Sequence, residues 1–385
     1  MAKVKKADEM AVEWTSGGSY AVRFADDAFG EGAQALASLL KEITGSDEPR
    51  MMLVADSNVV QRSAGLGMKI GKFVQTTGVR LAGAPVVIAG GEKLKSDFHQ
   101  SLQKMLTAAV EARVGAKDAM VVIGGGTVTD VASYVAVQTR GGLPVVRIPT
   151  TVAAMVDGAF AECASLNLAG VKDAIRIPCR PAGVVIDTTF ATTVLDGVWR
   201  GGLGEMIRYA ATKDAALFKR LVKSVAALKD RNAGLLSEFV RATVESRVKK
   251  GGSDVGLWCA SRLETMSSYK LPHGYATPIA MCIDCAYAVE RGLMTEDDQE
   301  LVCRTLAESG ALDGLSHSLY LLDQPDSILR GLDAWRLTTG GEAITIPAGI
   351  GKTVVEEHPD RAVFDKVVKC FRAASRESEE RSDED

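Results

Sequence analysis

Met120-Val121-Val122-Ile123-Gly124-Gly125-Gly126-Thr127-Val128-Thr129-Asp130 is the stretch on which the reading of this chain turns. The four apolar residues predict a short buried strand, and the glycines directly after it predict a strand-to-helix turn. Glycines at a strand end let the backbone approach a pyrophosphate, and the helix that follows adds N–H donors and a favourable dipole. A nucleotide cradle and a purely structural turn both fit. The spacing departs from G-x-G-x-x-G, so a standard dinucleotide fingerprint is not implied.

Outward from that turn the pattern repeats. Met51 to Ala55 is an apolar run ending in Asp56-Ser57-Asn58; Pro85 to Ala89 precedes Gly90-Gly91-Glu92; Val145 to Ile148 closes at Pro149-Thr150-Thr151. A helical stretch lies around Gly65 to Thr77. Strands alternating with helices predict a parallel, doubly wound sheet of Rossmann-like type. Ligands of such sheets sit beyond the strand C-termini, where Asp56 and Glu92 would hold ribose hydroxyls. Asp56 suits a helix N-cap equally well. After Val184-Val185-Ile186-Asp187 the texture changes, and apolar residues fall three and four apart, the spacing of helices. The expected organisation is an α/β nucleotide-binding domain over 1–190, an all-helical domain over 191–374 and a disordered Ser/Glu/Arg/Asp tail over 375–385.

Composition sets the outer bounds. A chain of 385 residues exceeds what one compact core holds, so two domains are expected. A net charge of -4 argues against nucleic acid as a partner. No window approaches ~18 uninterrupted apolar residues, so no membrane span is expected. Met1 to Met10 is charged and lacks the apolar core of a secretory signal. The seven cysteines are scattered, and the one C-x-x-C, Cys282 and Cys285, lies in an apolar helical stretch with no second pair to complete a zinc set. Reduced, mostly buried thiols in the cytoplasm are the expectation.

Further residues fall into a recognisable order. Asp56-Ser57-Asn58, Gly91-Glu92 with Lys95, Gly124 to Asp130, Arg140-Gly141, Pro149-Thr150-Thr151 and Asp157 come first. The block Gly201-Gly202-Leu203-Gly204-Glu205-Met206-Ile207-Arg208-Tyr209 and Leu271-Pro272-His273-Gly274 follow. Together they resemble the dehydroquinate synthases and related sugar-phosphate cyclases over roughly residues 20 to 370. Arg262-Leu263-Glu264, then Gly331-Leu332-Asp333 through Gly340-Gly341-Glu342, further resemble the dehydroquinate-synthase-like proteins of the bacterial ebo gene cluster.

The resemblance implies an NAD-binding N-terminal domain, a helical C-terminal domain and a divalent metal (zinc or cobalt) between them. It also implies a homodimer and a small-molecule sugar phosphate as substrate. In the reaction it implies, a sugar-phosphate hydroxyl is transiently oxidised by NAD, phosphate is eliminated, the ketone is reduced again and a ring closes. The metal would act as a Lewis acid and the cofactor would carry the hydride. Carried over residue by residue, the resemblance gives Asp56, Asn58, Glu92, Lys95, Gly124, Gly125, Gly126, Asp130, Thr150 and Thr151 to the dinucleotide. Asp157 and Lys172 would meet substrate hydroxyls, Arg208 would steady negative charge near the reacting centre, and Glu205 and His273 would hold the metal.

The metal site departs from that pattern. The family's ligands are one Glu and two His, and at the family's spacing the first His falls on Leu257 and another active-site His on Ser261. The chain's histidines are His99, His273, His317 and His358, and none is a neighbour that replaces the lost one. Asp254, three residues before Leu257, offers an oxygen on the same helix face, or serves as a helix cap after Gly251-Gly252-Ser253. Family lysine positions fall on Cys163 and Arg208, the Glu after the metal His on Tyr275, and a substrate-binding Lys-Asn pair on Lys172-Asp173. The basic motif for substrate phosphate is not recognisable, although Arg336 lies close by. Cofactor-side residues are kept while metal-side and substrate-side residues have drifted. Three readings stand open: a cyclase-like carbon–oxygen lyase with altered substrate, an NAD-linked polyol or alcohol dehydrogenase, and a non-catalytic NAD-binding relative.

Overall fold

The computed structural model describes residues 19–30, 33–315 and 318–382, so His317 and the last three residues lie outside the described part. Nine strands come first: β1 (Ala21–Phe24), β2 (Arg50–Asp56), β3 (Arg80–Leu81), β4 (Val86–Ile88), β5 (Ala119–Gly124), β6 (Val145–Pro149), β7 (Cys163–Leu168), β8 (Val171–Pro178) and β9 (Gly183–Ile186). Seven of them form one sheet in the order β1-β9-β6-β5-β2, with β3 and β4 both pairing β2, and every pairing in it is parallel. β7 and β8 form a separate antiparallel hairpin. The doubly wound parallel sheet and the helical second half expected from the sequence are the fold of this chain.

Burial explains the central strands. All six residues of β5 are buried, as in a parallel sheet covered on both faces. Alternate residues feed two cores: Leu53, Val121 and Ile123 go to one face, Val54, Met120 and Val122 to the other. Burying each such side chain contributes about 1.5–3 kcal/mol. The first core runs on without a break into the helical half through Trp199, Leu203 and Met206. The second is closed by the 126–138 helix and by Ala164 and Leu166 of the hairpin.

From β2 the chain moves outward to β3 and β4, and from β5 it moves the opposite way to β6. The carboxyl ends of β2 and β5 therefore flank the switch point of the sheet, where open α/β sheets hold their ligands. Asp56 ends one strand and Gly124 the other.

The helical half is positioned by one close crossing. The helices Asp196–Lys213 and His273–Glu290 approach so tightly that a Cβ on Gly201 would lie 2.8 Å from the Cα of Gly274. A Cβ on Gly202 would lie 2.5 Å from Val152 Cβ, and one on Gly204 would lie 2.7 Å from Pro278. The Gly-Gly-Leu-Gly-Glu block is thus a packing surface, and it brings Glu205 to the start of the 273–290 helix. Two features differ from the sequence reading. The helical half carries a two-stranded ribbon, β10 (Ile344–Pro347) and β11 (Thr353–Glu356), whose runs are too short to stand out. The backbone of the last helix, Arg361–Ser382, continues through residues 375–382, where no order was expected. That segment is rich in Glu and Arg, which are good helix formers and extend a helix already nucleated by Phe364, Val367 and Val368 in the core.

Gly201→Ala tests the crossing. The added methyl meets backbone rather than a movable side chain, so the variant should lose about 1–3 kcal/mol of stability, read as a lower melting temperature. Wild-type melting would show that the helices separate without cost.

Candidate functional site

At the switch point, Asp56 Oδ1 accepts from the backbone N of Asn58 at 2.8 Å and from Asn58 Nδ2 at 3.1 Å. Asp56 thus caps the short helix Ser57–Arg62, the local role that its position after a strand also suggested. Gly90 is required there, since a Cβ on it would lie 2.2 Å from Asp56 Oδ2. The 126–138 helix opens beside it. Gly126 is its first residue, and a Cβ there would meet no protein atom within 4 Å. Neither packing nor a left-handed φ calls for glycine at that position. An open space in front of a helix N-terminus suits a phosphate group. Thr150 and Thr151 close the same edge: Thr150 N donates to Gly124 O at 3.1 Å, and Thr151 Oγ1 caps the next helix by accepting from Ala154 N at 3.2 Å.

Lys95 and Asp130 are brought together by the fold. Lys95 is 4% exposed; its ammonium donates to Asp130 Oδ2 at 2.8 Å, to Ser165 Oγ at 2.9 Å and to Asp173, with Glu92 Oε1 3.9 Å away. Burial alone would pull the Lys95 ammonium down, but Asp130, Asp173 and Glu92 outweigh it and hold it well above the usual range. Glu92 accepts from Asn167 Nδ2 at 3.1 Å, and Asn167 Oδ1 accepts from Asp173 N at 2.9 Å. The network pins the β7–β8 hairpin to the 93–96 and 126–138 helices. It engages Lys95 with the protein itself, and Glu92 through Asn167.

The residue beside Asp173 looks the other way. Lys172 Nζ donates to both oxygens of Glu264 at 2.5 Å and lies 3.4 Å from His273 Nδ1. His273 Nδ1 lies 2.8 Å from Glu264 Oε1, and His273 Nε2 lies 3.7 Å from Glu205 Oε1. Glu205 Oε2 accepts from Arg208 Nε at 3.1 Å and from Nη2 at 2.8 Å. Arg208 Nη1 donates to the carbonyls of Ser253 and Val255 at 2.8 and 3.2 Å. Charges therefore alternate along one line of contacts, Lys172, Glu264, His273, Glu205 and Arg208, with the two carboxylates and Arg208 almost wholly buried. Burial would raise the carboxyl of Glu264, but Lys172 and His273 hold it at about 2. Burial would likewise raise Glu205, and Arg208 and His273 hold it below the ordinary value. Burial and Lys172 oppose a proton on His273, and Glu264 and Glu205 outweigh them.

The remaining expected residues are placed less centrally. Asp157 Oδ1 pairs with Arg247 Nη1 at 2.7 Å. Asp254 is exposed; its backbone carbonyl accepts from Leu257 N at 3.1 Å, and Gly256 rather than Asp254 is the N-cap of the 257–266 helix. Among the described residues no group of three or more His, Cys, Asp or Glu could hold a metal ion. The donors that face each other are two, Glu205 Oε1, buried and without a hydrogen-bond partner, and His273 Nε2. Leu257 adds none, and Arg336 pairs with Glu342 at 2.8 Å on the surface. All seven cysteines are free, with Cys282 and Cys285 buried in the 273–290 helix.

With this geometry in hand, comparison with known proteins becomes specific. The model of the 3-dehydroquinate synthase N-terminal region matches residues 85–200, and that of the 3-dehydroquinate synthase C-terminal region matches residues 202–316. The chain belongs to the dehydroquinate-synthase superfamily of sugar-phosphate cyclases. A 3-dehydroquinate synthase of Prochlorococcus marinus is 27% identical over 90% of this chain and 93% of its own length. A 2-epi-5-epi-valiolone synthase of an Actinoplanes species is 27% identical over 86% and 85%. The solved 2-epi-5-epi-valiolone synthase of Streptomyces hygroscopicus, with NAD+ and Zn2+ bound, shares the fold at a TM-score of 0.82, 23% identity, and 95% and 100% coverage. A 2-deoxy-scyllo-inosose synthase complexed with carbaglucose-6-phosphate, NAD+ and Co2+ gives a TM-score of 0.68 at 17% identity, over 90% and 95%. No helix among the described residues is long and apolar enough to cross a membrane.

Sequence reasoning missed Glu264 as a site residue, although it stands within the quoted Arg262-Leu263-Glu264. The available signal was an acid nine positions before His273, in a segment whose other residues read as helix interior. It also missed Asp284, which accepts from Gly256 N at 2.7 Å and Trp258 Nε1 at 3.1 Å and so holds the loop that supplies carbonyls to Arg208. Burial pushes the Asp284 carboxyl up to about 7.

Glu264 gives a pH test. Its ordinary value is 4.5 and its folded value is about 2, so between these the unfolded chain takes a proton that the folded chain refuses. Its stabilising contribution is full above that window and is lost as pH falls through it. Urea midpoints measured from pH 6 to about pH 2.5 should fall less steeply for Glu264→Gln than for wild type. Parallel profiles would refute the role given to the Lys172–Glu264–His273 contacts.

Proposed function

We propose that this protein is an NAD-dependent, sugar-phosphate cyclase-like carbon–oxygen lyase related to 3-dehydroquinate synthase, with an altered substrate. The observation that carries this reading is the nearness of two features, the open glycine turn at Gly126 and the ion pairs around His273. A Cβ on Gly158 would lie 3.5 Å from Gly126 Cα, and the preceding residue, Asp157, pairs with Arg247 of the helical half. Asp157 in turn acts electrostatically on Arg208. A dinucleotide fits the first feature, because the open face of Gly126 and the N-terminus of its helix leave room for a pyrophosphate. NAD, when bound, would take a hydride from a sugar carbon and return it.

The chain's residues supply the rest. Glu264 accepts at His273 Nδ1 and so fixes the ring, leaving Nε2 as the nitrogen that exchanges a proton with a ligand hydroxyl. Lys172 and Arg208 keep the two carboxylates ionised in a buried setting, and Lys172 adds positive charge where an oxyanion would develop. Asp157 and Lys172 line the substrate side, and Asp56, Glu92, Thr150 and Thr151 the cofactor side. A second reading, a nucleotide-binding protein without catalysis, draws on the engagement of Lys172 and Arg208 with protein partners.

Calorimetric titration with NAD is the first test, followed by a screen of sugar phosphates for released inorganic phosphate without accumulation of NADH. NAD binding with phosphate release supports the lyase. Accumulation of NADH with an alcohol would replace it by a dehydrogenase, and absence of NAD binding would sink both. Gly126→Ala separates the cradle from a structural turn. It should weaken NAD binding several-fold while leaving the melting temperature unchanged, whereas unchanged NAD binding would remove Gly126 from the cofactor site.

A further inference from the structure

The site holds a cation of its own on the carboxylate that faces His273. Arg208 turns two N–H groups onto a single oxygen of Glu205, at 3.1 and 2.8 Å, and both side chains are 1% exposed. The guanidinium is tied down on its other side by the carbonyls of Ser253 and Val255. Those carbonyls are held in turn: Ser253 Oγ accepts from Thr212 Oγ1 at 2.9 Å, and Gly256 N donates to Asp284. Arg208 is therefore a fixed part of the site. An arginine never gives up its charge near neutral pH.

The charges around His273 also close without an added ion. Lys172 pairs with Glu264 and Arg208 pairs with Glu205, so two cations meet two carboxylates. A divalent ion between Glu205 Oε1 and His273 Nε2 would find two protein donors, where zinc sites use three or four. It would add two positive charges beside a buried guanidinium already bound to the same carboxylate. The position at which the family resemblance expects a further ligand is the aliphatic Leu257.

We propose that Arg208 is the resident cation of this cleft, taking the charge-neutralising place beside Glu205 that a divalent metal would otherwise fill, so that the protein binds its small-molecule ligands without a metal ion. This rests on the cleft being the functional site of the proposed activity. It goes beyond that reading in assigning a metal-independent chemistry to the site. Glu205 then acts as a fixed counter-charge, and His273 is positioned by Glu264 for proton exchange rather than for coordination.

The test uses full-length protein produced in medium containing zinc and cobalt and then desalted. Elemental analysis should find no stoichiometric zinc, cobalt or nickel, and neither EDTA nor added CoCl2 should shift the melting temperature. Titration with CoCl2 should give no visible absorption band in wild type or in Leu257→His, which has the third ligand but keeps Arg208. The double variant Arg208→Lys, Leu257→His should gain a cobalt band at about one ion per chain. About one metal per wild-type chain after desalting would overturn the proposal. So would cobalt binding in Leu257→His as tight as in the double variant, or a folded double variant that binds none. If the double variant fails to fold, the metal content and chelator insensitivity of wild type still decide. NAD titration of the same samples keeps the two readings apart: loss of NAD binding bears on the proposed function, and metal content bears on the role of Arg208.

Discussion

The helix crossing at Gly201 and Gly274 is the constraint on which the site depends. With no side chain on either residue, two helices come within backbone contact, and the residues one turn on from Gly201 and just before Gly274 are Glu205 and His273. Neither residue has reach to spare. A buried carboxylate and a partly exposed imidazole placed 3.7 Å apart require that their helices be fixed to within a fraction of that distance. The glycines at 202 and 204 extend the same contact to Val152 and Pro278, so one packing surface joins the helical half to the segment that follows β6.

A second tie crosses the cleft from the opposite side. The β7–β8 hairpin is anchored on the 93–96 helix of the first half through Asp173 and Lys95, and its neighbouring residue Lys172 reaches the helical half through Glu264. The hairpin is irregular at this point, its register shifting between Leu166 and Leu168, and these neighbouring residues reach partners in different halves of the molecule. At Asp173 the backbone takes φ 52, uncommon for a residue with a side chain, and its N–H is held by Asn167. Each buried charge along this path has an opposite partner, the condition under which a low-dielectric setting tolerates ions.

Seen physically, Arg208 differs from a metal ion in one decisive respect. A guanidinium neutralises and orients a carboxylate through directed hydrogen bonds, but it offers no open coordination position to a ligand oxygen. In a site served by Arg208 alone, polarisation of a hydroxyl or carbonyl would come from hydrogen bonds and fixed charges such as those of Lys172 and His273. Asp284 supports this arrangement at one remove, because the loop it holds presents the carbonyls that orient the guanidinium.

Much of this was legible in the residues. Apolar runs closed by Asp56, Gly90, Gly124 and Pro149 carry the parallel sheet, because burial on both faces needs uninterrupted apolar strands and turning needs small or capping residues. The ordered motifs carry the family, and the resemblance sets Leu257 where the family has a metal-ligating His. Other parts were not legible. The β7–β8 hairpin and the β10–β11 ribbon are stabilised by pairing between segments, which no local pattern announces. Glu264 looks like any helical acid until the fold sets it between Lys172 and His273, and Lys95 looks like a free cofactor ligand until it is buried against Asp130 and Asp173. Asp254 stands three residues from Leu257, yet the turn at Gly256 leaves it in solvent. Sequence by itself thus determined the sheet, its glycine edge and the residue types present at the site. Only the tertiary structure decided which charges face each other, because ion pairs between residues tens of positions apart are set by helix crossings and strand order rather than by neighbours in the chain.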